Sequence, residues 1–347
     1  MNRQKQPGKK RVTVKDIAQR LGVSAMTVSR ALNDQPRISD ETREKVLQTA
    51  RKMGYRPDRV ARGMVLQRTR LIGVVVPELT TSFFPEVFRG IDSVAVDRDY
   101  QVIMIHSDED ADRERVAIQT LEGHRVDGFL ISAVETIEEF DEYERLESMG
   151  TPFIFFNRGV TAFGAQCVSI DDRELARKMT EHLIVDHNYK RIAHLYGSSK
   201  LTIGKRRFEG FKQALREHDL PLEETLTIPS GYSEDEGYYS MKILLKHTTD
   251  LPEAVFAAND PSAFGAIKAA REKGLRVPED IAVVGFTDDM QAQFFDPPLT
   301  TVHHHAYELG RIATETLLDV IEDPDGEMEM PIVSADLVIR RSCGCGS

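Results

Sequence analysis

Two short helical patterns separated by a tight turn near the amino terminus constrain the fold of this chain most strongly. They lie within residues 12–33, which read VTVKDIAQRLGVSAMTVSRALN. Gly22 permits the turn, and Ser24 can cap the second helix by accepting a hydrogen bond from a backbone amide. Two helices joined in this way form a helix-turn-helix unit, whose second helix fits the DNA major groove. The pattern therefore predicts duplex DNA as a partner.

Capping signals extend this unit to three helices. Thr13 with Asp16 three residues later forms a capping box before the first helix. Ser39 is the predicted cap of a third helix, DETREKVLQTARKM, which Gly54 ends. The apolar residues of the three helices recur at helical spacing, so the segment is expected to close a small all-α core.

The distribution of charge supports a nucleic-acid role for this segment. Residues 1–70 carry 18 Lys and Arg against 6 Asp and Glu, a net charge of +12. The other 277 residues carry 27 against 50, a net charge of −23. Attraction for phosphate is therefore concentrated at the helix pair. The alternative, a solvated basic tail on an acidic enzyme, does not account for the capping signals.

Bulk composition favours a cytoplasmic protein of two or three domains. No apolar run approaches the roughly 20 residues of a membrane span, and MNRQKQPGKKR lacks the apolar segment of a secretory signal. The three cysteines are too few for a disulfide framework. Cys343-Gly344-Cys345 is either half of a metal site or an exposed tail with two free thiols, and the tail is favoured because no partner Cys or His pair is evident.

From Leu71 onward, short apolar runs alternate with helical patterns. Such alternation predicts parallel sheets covered by helices on both faces. The number of units exceeds one ordinary sheet, so two similar α/β halves are expected, with a ligand in the cleft at the carboxyl ends of the strands. The nine predicted strands are LIGVVVP, QVIMIHS, GFLIS, PFIFFN, CVSID, RIAHLYGS, TLTIPS, AVFAAND and IAVVGFTDD.

Common catalytic and cofactor fingerprints do not occur in the sequence. There is no G-x-x-x-x-G-K-[ST] phosphate loop, no G-x-G-x-x-G dinucleotide motif and no G-x-S-x-G nucleophile turn. We therefore expect no catalytic residues, no cofactor and no enzymatic activity. An enzyme with a regulatory head and a sugar-binding transport protein remain as alternatives.

With these motifs in order, nearly the whole chain resembles the lactose/galactose repressor (LacI/GalR) family of bacterial transcription regulators. The helix-turn-helix is followed by ISDETREKV, MGYRPDRVAR, FFPEVFRGI, RRFEGF, FAANDPSAFGAIKAAREKGLRVPEDIAVVGF and PPLTTV. The resemblance implies a ligand-responsive regulator, most often a repressor. Such a regulator binds a pseudo-palindromic operator as a homodimer and takes a small-molecule, sugar-like effector. Because the tail shows no heptad repeat, a dimer is favoured over a tetramer.

The resemblance also implies how the chain is divided. The core is expected to hold two Rossmann-like parallel-sheet subdomains, as in type I periplasmic binding proteins. The implied segments are a headpiece at 1–57, a hinge helix and linker at 58–69, a core at 70–342 and a tail at 343–347. Within the core, the N-terminal subdomain is 70–170 plus 303–332 and the C-terminal subdomain is 171–302 plus 333–342.

For DNA, the resemblance places Ala25, Met26 and Arg30 on the base-reading face of the second helix. Arg30 can donate two hydrogen bonds to a guanine edge, whereas alanine and methionine can only make apolar contacts. The resemblance also implies a backbone contact for Tyr55 and a minor-groove wedge from Met64 in the hinge. Asp58 stands where relatives carry asparagine, which is unfavourable beside phosphate. The remaining predicted DNA-binding residues are Thr13, Ser24, Thr27, Ser29, Asn33, Ser39, Thr42 and Arg62, and for Ser24 and Ser39 helix capping is expected in addition.

For the effector, the resemblance carries over aromatic, amide and charged residues that follow core strands. Their chemistry suits a sugar, because Arg, Asn and Asp can hold hydroxyls while aromatic faces cover C–H groups. They are Phe83, Phe84, Asn157, Arg158, Arg207, Tyr232, Asn259, Asp260, Thr287, Asp288 and His304.

Some of these positions have a second reading. Asp260 can equally be a helix cap. Thr287 replaces a common acid and Asn157 is neutral, so the ligand is expected to be less polar, or itself acidic. In His303-His304-His305, neighbouring side chains point to opposite faces, so at most two could share a metal. A structural or ligand-bonding role is favoured, and no metal site is predicted.

Overall fold

The computed structural model divides the chain into two compact units, Met1–Thr69 and Arg70–Ser347. They are called the headpiece and the core. The structure describes residues 12–32, 35–36, 38–55, 68–136, 138–163, 167–248, 250–326 and 329–346.

Three helices form the described part of the headpiece: α1 (Val14–Leu21), α2 (Ala25–Leu32) and α3 (Asp40–Met53). Their ends confirm the capping signals in the sequence. Thr13 and Asp16 form a complete capping box, and Ser39 accepts a hydrogen bond from the Thr42 amide. Gly22 and Gly54 end α1 and α3 in the left-handed conformation that glycine adopts without strain.

The headpiece core is small. Two residues from each helix are buried together: Ile17, Ala18, Val28, Ala31, Val46 and Ala50. Half-buried apolar residues from the loops and helix ends complete it, among them Leu21, Val23 and Met53. This packing fixes α2 against α1 and α3 and leaves the other face of α2 to solvent.

The first lobe of the core is built on a six-stranded parallel sheet with the strand order β11-β5-β4-β3-β1-β2. Alternate strand residues face opposite sides, as the pleat requires. Ile72 and Val74 pack toward the helices Phe83–Asp97 (α4) and Ala306–Glu322 (α11), whereas Val75 packs toward the helices Ala111–Gly123 (α5) and Asp141–Ser148 (α6). The elements are β1 (Leu71–Val76), α4 (Phe83–Asp97), β2 (Gln101–His106), α5 (Ala111–Gly123), β3 (Gly128–Ile131), α6 (Asp141–Ser148), β4 (Phe153–Phe156), β5 (Cys167–Ile170), α11 (Ala306–Glu322) and β11 (Ile332–Val333).

Glycine permits the closest helix packing in this lobe. A Cβ added at Gly90 of α4 would overlap the carbonyl oxygen of Tyr307, and one at Gly310 of α11 would overlap that of Val87. The two helix backbones therefore touch through paired glycines, so a larger residue at either position would push the helices apart.

The second lobe repeats the design with a four-stranded parallel sheet in the order β7-β6-β8-β9. Helices α7 and α8 pack together, as do α9 and α10. The elements are α7 (Asp172–Val185), β6 (Ile192–Tyr196), α8 (Thr202–Glu217), β7 (Thr227–Pro229), α9 (Glu234–His247), β8 (Ala254–Ala257), α10 (Asp260–Glu272) and β9 (Ala282–Val284).

The chain passes between the lobes several times. β5 belongs to the first sheet and β6 to the second, and the chain returns through β10 (Thr301–His303) to α11. It leaves the first lobe again after β11 through β12 (Asp336–Val338), which pairs antiparallel with β10. Residues that follow strands in both lobes are thereby brought to one cleft.

All nine strands predicted from apolar runs are present as β1 to β9. The expectation of an exposed tail is wrong, because Cys343 is fully buried and Cys345 is half-buried. Within the described residues, none of the helices is long and apolar enough to cross a membrane.

Candidate functional site

The outer face of α2 presents the residues predicted to read DNA. Ala25 and Met26 are exposed, with 63% of Met26 accessible to solvent, and Arg30 is half-buried beside them. Ser24 accepts a 3.0 Å hydrogen bond from the amide of Thr27, which caps the helix as predicted. An exposed methionine at the start of a capped helix has no packing role, so its side chain is free for an intermolecular contact.

The hydroxyl groups near these helices already have partners inside the headpiece. The Ser24 hydroxyl lies 2.9 Å from that of Thr27, and the Ser39 hydroxyl lies 2.9 Å from that of Thr42. The Thr13 hydroxyl donates to Asp16 at 2.8 Å. Ser29 and Tyr55 are half-buried on the same unit. Asn33, Asp58, Arg62 and Met64 lie outside the described residues.

The core contains a cavity of about 360 Å³ between the lobes. Its size is within the range of small-molecule sites. Nine of the eleven residues predicted to contact effector line it: Phe83, Phe84, Asn157, Arg158, Arg207, Tyr232, Asn259, Thr287 and His304.

Arg158 is held in the cavity wall by an acid that the sequence did not single out. Its guanidinium donates to Glu109 at 2.6 Å, and only 6% of the arginine side chain is exposed. The guanidinium also lies 4.5 Å from the centre of the Tyr232 ring. Stacking of this kind orients both groups, so Arg158 and Tyr232 form one wall of the cavity.

Residues of the second lobe hold the guanidinium of Arg207 in position. Its Nε donates to Asp172 at 2.8 Å and its Nη1 donates to the carbonyl of Ala258 at 2.6 Å. The guanidinium lies over the ring of Phe286 at 4.0 Å. Both charges of this ion pair are almost fully buried. The cation is thus positioned by three neighbours before any ligand arrives.

Two buried polar groups in the cavity wall lack hydrogen-bond partners among the described residues. They are the hydroxyl of Tyr232 and both ring nitrogens of His304. His304 lies edge-on between Phe83 and Phe286. Burial, with Arg207 nearby, keeps the pKa of His304 well below its usual value, and burial raises that of Tyr232. Both groups are therefore neutral at pH 7. The imidazole can donate a hydrogen bond from one ring nitrogen and accept one at the other, and the Tyr232 hydroxyl can donate and accept.

Asn259 contributes to the site through two hydrogen bonds from its side chain to backbone groups. Its side chain caps α10 by accepting from the Ser262 amide at 3.0 Å and donates to the carbonyl of Tyr232 at 2.8 Å. Because the oxygen and the nitrogen of its side-chain amide are both hydrogen-bonded, Asn259 holds Tyr232 in place beside the cavity. Asn157 lines the cavity with its backbone at φ 58°, a left-handed conformation that asparagine tolerates better than most residues.

Asp260 and Asp288, which the sequence placed in the effector site, do not line the cavity. Asp260 is fully buried and accepts hydrogen bonds from Thr301 and from the Asp289 amide. Burial raises the pKa of Asp260 to about 7. Asp288 pairs with Arg340 at 2.7 Å and with His303 at 2.9 Å. Both carboxyl groups hold loops together behind the cavity.

Instead, the next acid along the chain lines the cavity. Asp289 accepts two 2.9 Å hydrogen bonds from Ser82, one from its amide and one from its hydroxyl. Ser82 precedes α4 in the first lobe and Asp289 follows β9 in the second, so the pair spans the cleft. Other lining acids that the sequence did not predict are Glu78, Asp108, Glu109 and Glu234.

A second contact joins the lobes nearby. Glu135, which follows β3, accepts a 2.9 Å hydrogen bond from the amide of Ser198, which follows β6. Burial raises the pKa of Glu135 to about 7. The two lobes are therefore joined at this point through a buried carboxyl group.

The three consecutive histidines have different neighbours. His304 faces the cavity, His303 pairs with Asp288 and His305 pairs with Asp336 at 2.9 Å. Although the rings of His303 and His305 approach within 4.5 Å, each is engaged by its own carboxylate. Each of the three rings therefore has a different environment.

Comparison with known proteins identifies both units. Residues 13–58 match the family "Bacterial regulatory proteins, lacI family", and residues 180–343 match "Periplasmic binding protein-like domain". The HTH-type transcriptional repressor PurR of Mannheimia succiniciproducens is 32% identical over 331 residues, which cover 95% of this chain and 98% of that protein.

Two solved structures share the fold along almost the whole chain. The lac repressor dimer bound to operator and the anti-inducer ONPF superposes with a TM-score of 0.82 at 27% identity, covering 96% of this chain and 99% of that one. The complex of the transcriptional regulator CelR with cellobiose gives a TM-score of 0.72 at 28% identity, covering 96% and 100%.

The chain belongs to the LacI family of bacterial transcription regulators. It is a DNA-binding protein with a helix-turn-helix headpiece and a ligand-responsive core of the periplasmic-binding-protein type. Its relatives are transcriptional repressors, which fits a non-enzymatic role, and the alternative of a sugar-processing enzyme has no support among them.

Proposed function

We propose that this chain is a cytoplasmic repressor that binds a pseudo-palindromic operator as a homodimer. Its operator affinity is set by a neutral, polyhydroxylated effector, a sugar or sugar derivative, bound in the cavity of the core. The solved relatives support the two halves of this proposal separately: one is a dimer on operator DNA, and another is a complex with cellobiose.

The observation that supports the effector site is the presence of two residues with unpartnered polar groups, Tyr232 and His304, in the cavity lining. A buried hydroxyl or imidazole without a hydrogen bond costs about 1–3 kcal/mol. The hydroxyl of Tyr232 and the ring nitrogens of His304, two residues of the cavity lining, carry this cost. A ligand with several hydroxyl groups can satisfy both residues at once, whereas an apolar ligand satisfies neither.

The charge of the cavity wall favours a neutral ligand over an acidic one. Five carboxyl groups line the cavity, those of Glu78, Asp108, Glu109, Glu234 and Asp289. The two lining arginines are each engaged by a carboxylate, Arg158 by Glu109 and Arg207 by Asp172. An anion would therefore meet excess negative charge, while hydroxyl groups can donate to the carboxylates.

Effector binding can reach the headpiece by changing how the lobes close. The contacts of Ser82 with Asp289 and of Ser198 with Glu135 bridge the cleft that the cavity occupies. A ligand that contacts both lobes favours one closure angle over others. A coupling of about 1–3 kcal/mol changes operator affinity roughly 5- to 150-fold.

The headpiece supplies the DNA contacts in this proposal. Arg30, Met26 and Ala25 read base edges from α2. Tyr55 contacts phosphate, as does the one hydroxyl proton that each of the pairs Ser24–Thr27 and Ser39–Thr42 leaves unused. The core carries a net charge of −23 over residues 71–347 and is repelled by DNA. Deleting residues 1–69 should therefore abolish operator binding and leave effector affinity unchanged.

The effector half is tested by a thermal-shift screen of neutral sugars, sugar acids, sugar phosphates and nucleobases against the full chain. Calorimetry and operator binding by fluorescence anisotropy then follow with the best hit. We expect a neutral sugar to bind and to change operator affinity at least fivefold. A sugar acid, sugar phosphate or nucleobase as the only hit would refute the proposed effector class.

Tyr232→Phe locates the binding site. The substitution keeps the ring that stacks on Arg158 and removes only the unpartnered hydroxyl, so effector affinity should fall about 10-fold, the equivalent of roughly one hydrogen bond. Tyr239→Phe is the matched control, because Tyr239 is 62% exposed on α9 and outside the cavity. Equal affinity in both variants would place the effector elsewhere.

A further inference from the structure

The carboxyl-terminal residues form a side-chain cluster that the proposed repressor function does not use. Four potential metal ligands, His182, His187, Cys343 and Cys345, lie together in the second lobe. The histidines sit at the end of α7 and just beyond it, about 160 residues from the cysteines along the chain. Their ligand atoms all lie within 4.8 Å of one another.

The distances within the cluster match those of a tetrahedral site. Nε2 of His182 lies 3.5 Å from Sγ of Cys343 and 3.8 Å from Sγ of Cys345. Nε2 of His187 lies 3.2 Å from Sγ of Cys345. With zinc–sulfur bonds of about 2.3 Å and zinc–nitrogen bonds of about 2.0 Å, neighbouring ligands in a tetrahedron are roughly 3.5 Å apart. The four atoms therefore surround a space of the right size for zinc.

The groups around the cluster orient its ligands as they do in metal proteins. Nδ1 of His182 is hydrogen-bonded to the carboxylate of Asp186 at 2.6 Å, which leaves Nε2 facing the cysteines. The hydroxyl of Thr300 donates to Sγ of Cys343 at 3.1 Å, a bond that favours a thiolate. A carboxylate behind a ligating histidine and a hydrogen bond to a ligating sulfur are common supports of bound metal.

The backbone between the cysteines is also adapted to this arrangement. Gly344 has a φ of 101°, a conformation open to glycine but strained for other residues. A Cβ there would lie 3.0 Å from the Tyr189 hydroxyl and 3.3 Å from Nδ1 of His187. Glycine thus lets both sulfurs turn toward the same two histidines.

We propose that His182, His187, Cys343 and Cys345 bind one zinc ion as a structural site. Two thiolates and two imidazoles in a tetrahedron select zinc among the common divalent ions. Because the protein supplies all four ligands, no position is left for substrate, as in structural rather than catalytic sites. The ion would fasten the carboxyl-terminal segment to α7 and close a long loop of chain.

The proposal is tested on the full chain, freed of any affinity tag and purified under reducing conditions. Metal analysis should find one zinc per chain. After chelation, anaerobic titration with Co²⁺ should give the intense visible bands of a tetrahedral ion and sulfur-to-cobalt charge transfer, saturating at one ion per chain. Added zinc should displace the cobalt, and chelation should lower the unfolding temperature of the core.

Variants assign the ligands. Cys345→Ser and His187→Gln should each weaken cobalt binding at least 10-fold, and Cys345→Ser should reduce the sulfur charge-transfer band. Asp186→Asn, which alters only the support behind His182, should weaken binding about 10- to 100-fold and preserve the tetrahedral spectrum. Cys167→Ser and His124→Gln are the matched controls outside the cluster and should bind as the parent does.

Three results would overturn the proposal. The first is a weak octahedral cobalt spectrum, and the second is equal binding by the parent and the Cys345→Ser variant, which would mark an adventitious ion only. The third is a protein that is metal-free when purified under reducing conditions and binds neither zinc nor cobalt when these ions are added.

Discussion

The headpiece and the core use their polar residues in opposite ways. In the described headpiece the buried residues of the hydrophobic cluster are all apolar, and the polar side chains lie at the surface, where several cap helices. In the core, polar and charged groups such as Arg207, Asp172, Asp260 and Glu114 are buried among apolar residues. Substitutions in the headpiece should therefore be able to change DNA binding without changing stability. In the core, the same side chains contribute to effector binding and to stability.

Arg30 in the headpiece and Arg207 in the core illustrate this difference. Arg30 is half-buried on the outer face of α2, where its loss removes a potential base contact and little packing. Arg207 is bonded to Asp172 and to a backbone carbonyl inside the second lobe. Equivalent substitutions at the two positions should thus have different consequences for stability and for binding.

Arg207→Leu should have the largest effect. It leaves the carboxylate of Asp172 buried without its partner, and breaking a buried ion pair in this way costs about 3–5 kcal/mol. We expect the free energy of unfolding of the core to fall by that amount in urea denaturation, and effector binding to be lost. Lys205→Met is the control, because Lys205 is exposed on the same helix and should change stability by less than about 0.5 kcal/mol.

The contrast would fail if Arg207→Leu preserved the stability of the core. In that case Asp172 would be accommodated without its partner, and Arg207 would contribute to ligand binding alone, as Arg30 is expected to contribute to DNA binding alone.

The sequence predicted the regular part of this fold well. Continuous apolar runs identified β1 to β9 because strands buried on both faces must be apolar throughout. The caps at Thr13, Ser24 and Ser39 were predictable because a cap is a local hydrogen bond within three residues. By contrast, β10, β11 and β12 are two or three residues long and exist through pairing with distant segments, which the sequence does not encode locally.

The sites were predicted less completely for the same reason. Two acids follow each other after β9, and no local signal tells that Asp289 faces the cavity while Asp288 turns to Arg340. Glu109 was missed because its partner Arg158 lies 49 residues away. The cysteines at the carboxyl terminus appeared isolated because their histidine neighbours, His182 on α7 and His187 just beyond it, lie about 160 residues earlier in the chain.

The pH dependence of stability should also separate the two units. Glu114, on α5, accepts hydrogen bonds from Tyr143 and from the amide of Val134, and burial raises its pKa from 4.5 to about 7. The folded core therefore holds a proton that the unfolded chain releases between these values. This stability is fully present below pH 4.5 and is lost as the pH rises to about 7, a change of about 3 kcal/mol for one group.

Glu114→Gln should flatten this dependence, measured as the free energy of unfolding of the core between pH 4.5 and pH 7.5. Glu135 and Asp260, whose pKa values are also raised to about 7, contribute with the same sign, so part of the slope should remain. Asp112→Asn, at an exposed position on the same helix, should leave the slope unchanged. His194 and His304, whose pKa values are lowered by burial, contribute with the opposite sign. The difference between the two slopes is therefore the test, and equal slopes in the parent and in Glu114→Gln would contradict the assignment.

Arg30→Ala should have the smallest of these effects and should be confined to DNA binding. A bidentate contact with guanine is worth about 1–3 kcal/mol of discrimination. We therefore expect operator affinity to fall about 5- to 150-fold at fixed salt, with the unfolding temperature unchanged. Arg51→Ala, at an exposed arginine near the end of α3, is the matched control for a general loss of positive charge.

Substituting bases in the operator tests whether Arg30 contacts a base. If Arg30 reads a guanine, replacing that guanine weakens binding of the parent but not of Arg30→Ala, because the contact is already absent. A loss that is the same on every duplex would mean that Arg30 contacts phosphate instead. In both cases Arg30→Ala changes DNA affinity and leaves the stability of the headpiece unchanged. A lowered unfolding temperature would instead show that Arg30 contributes to both binding and stability.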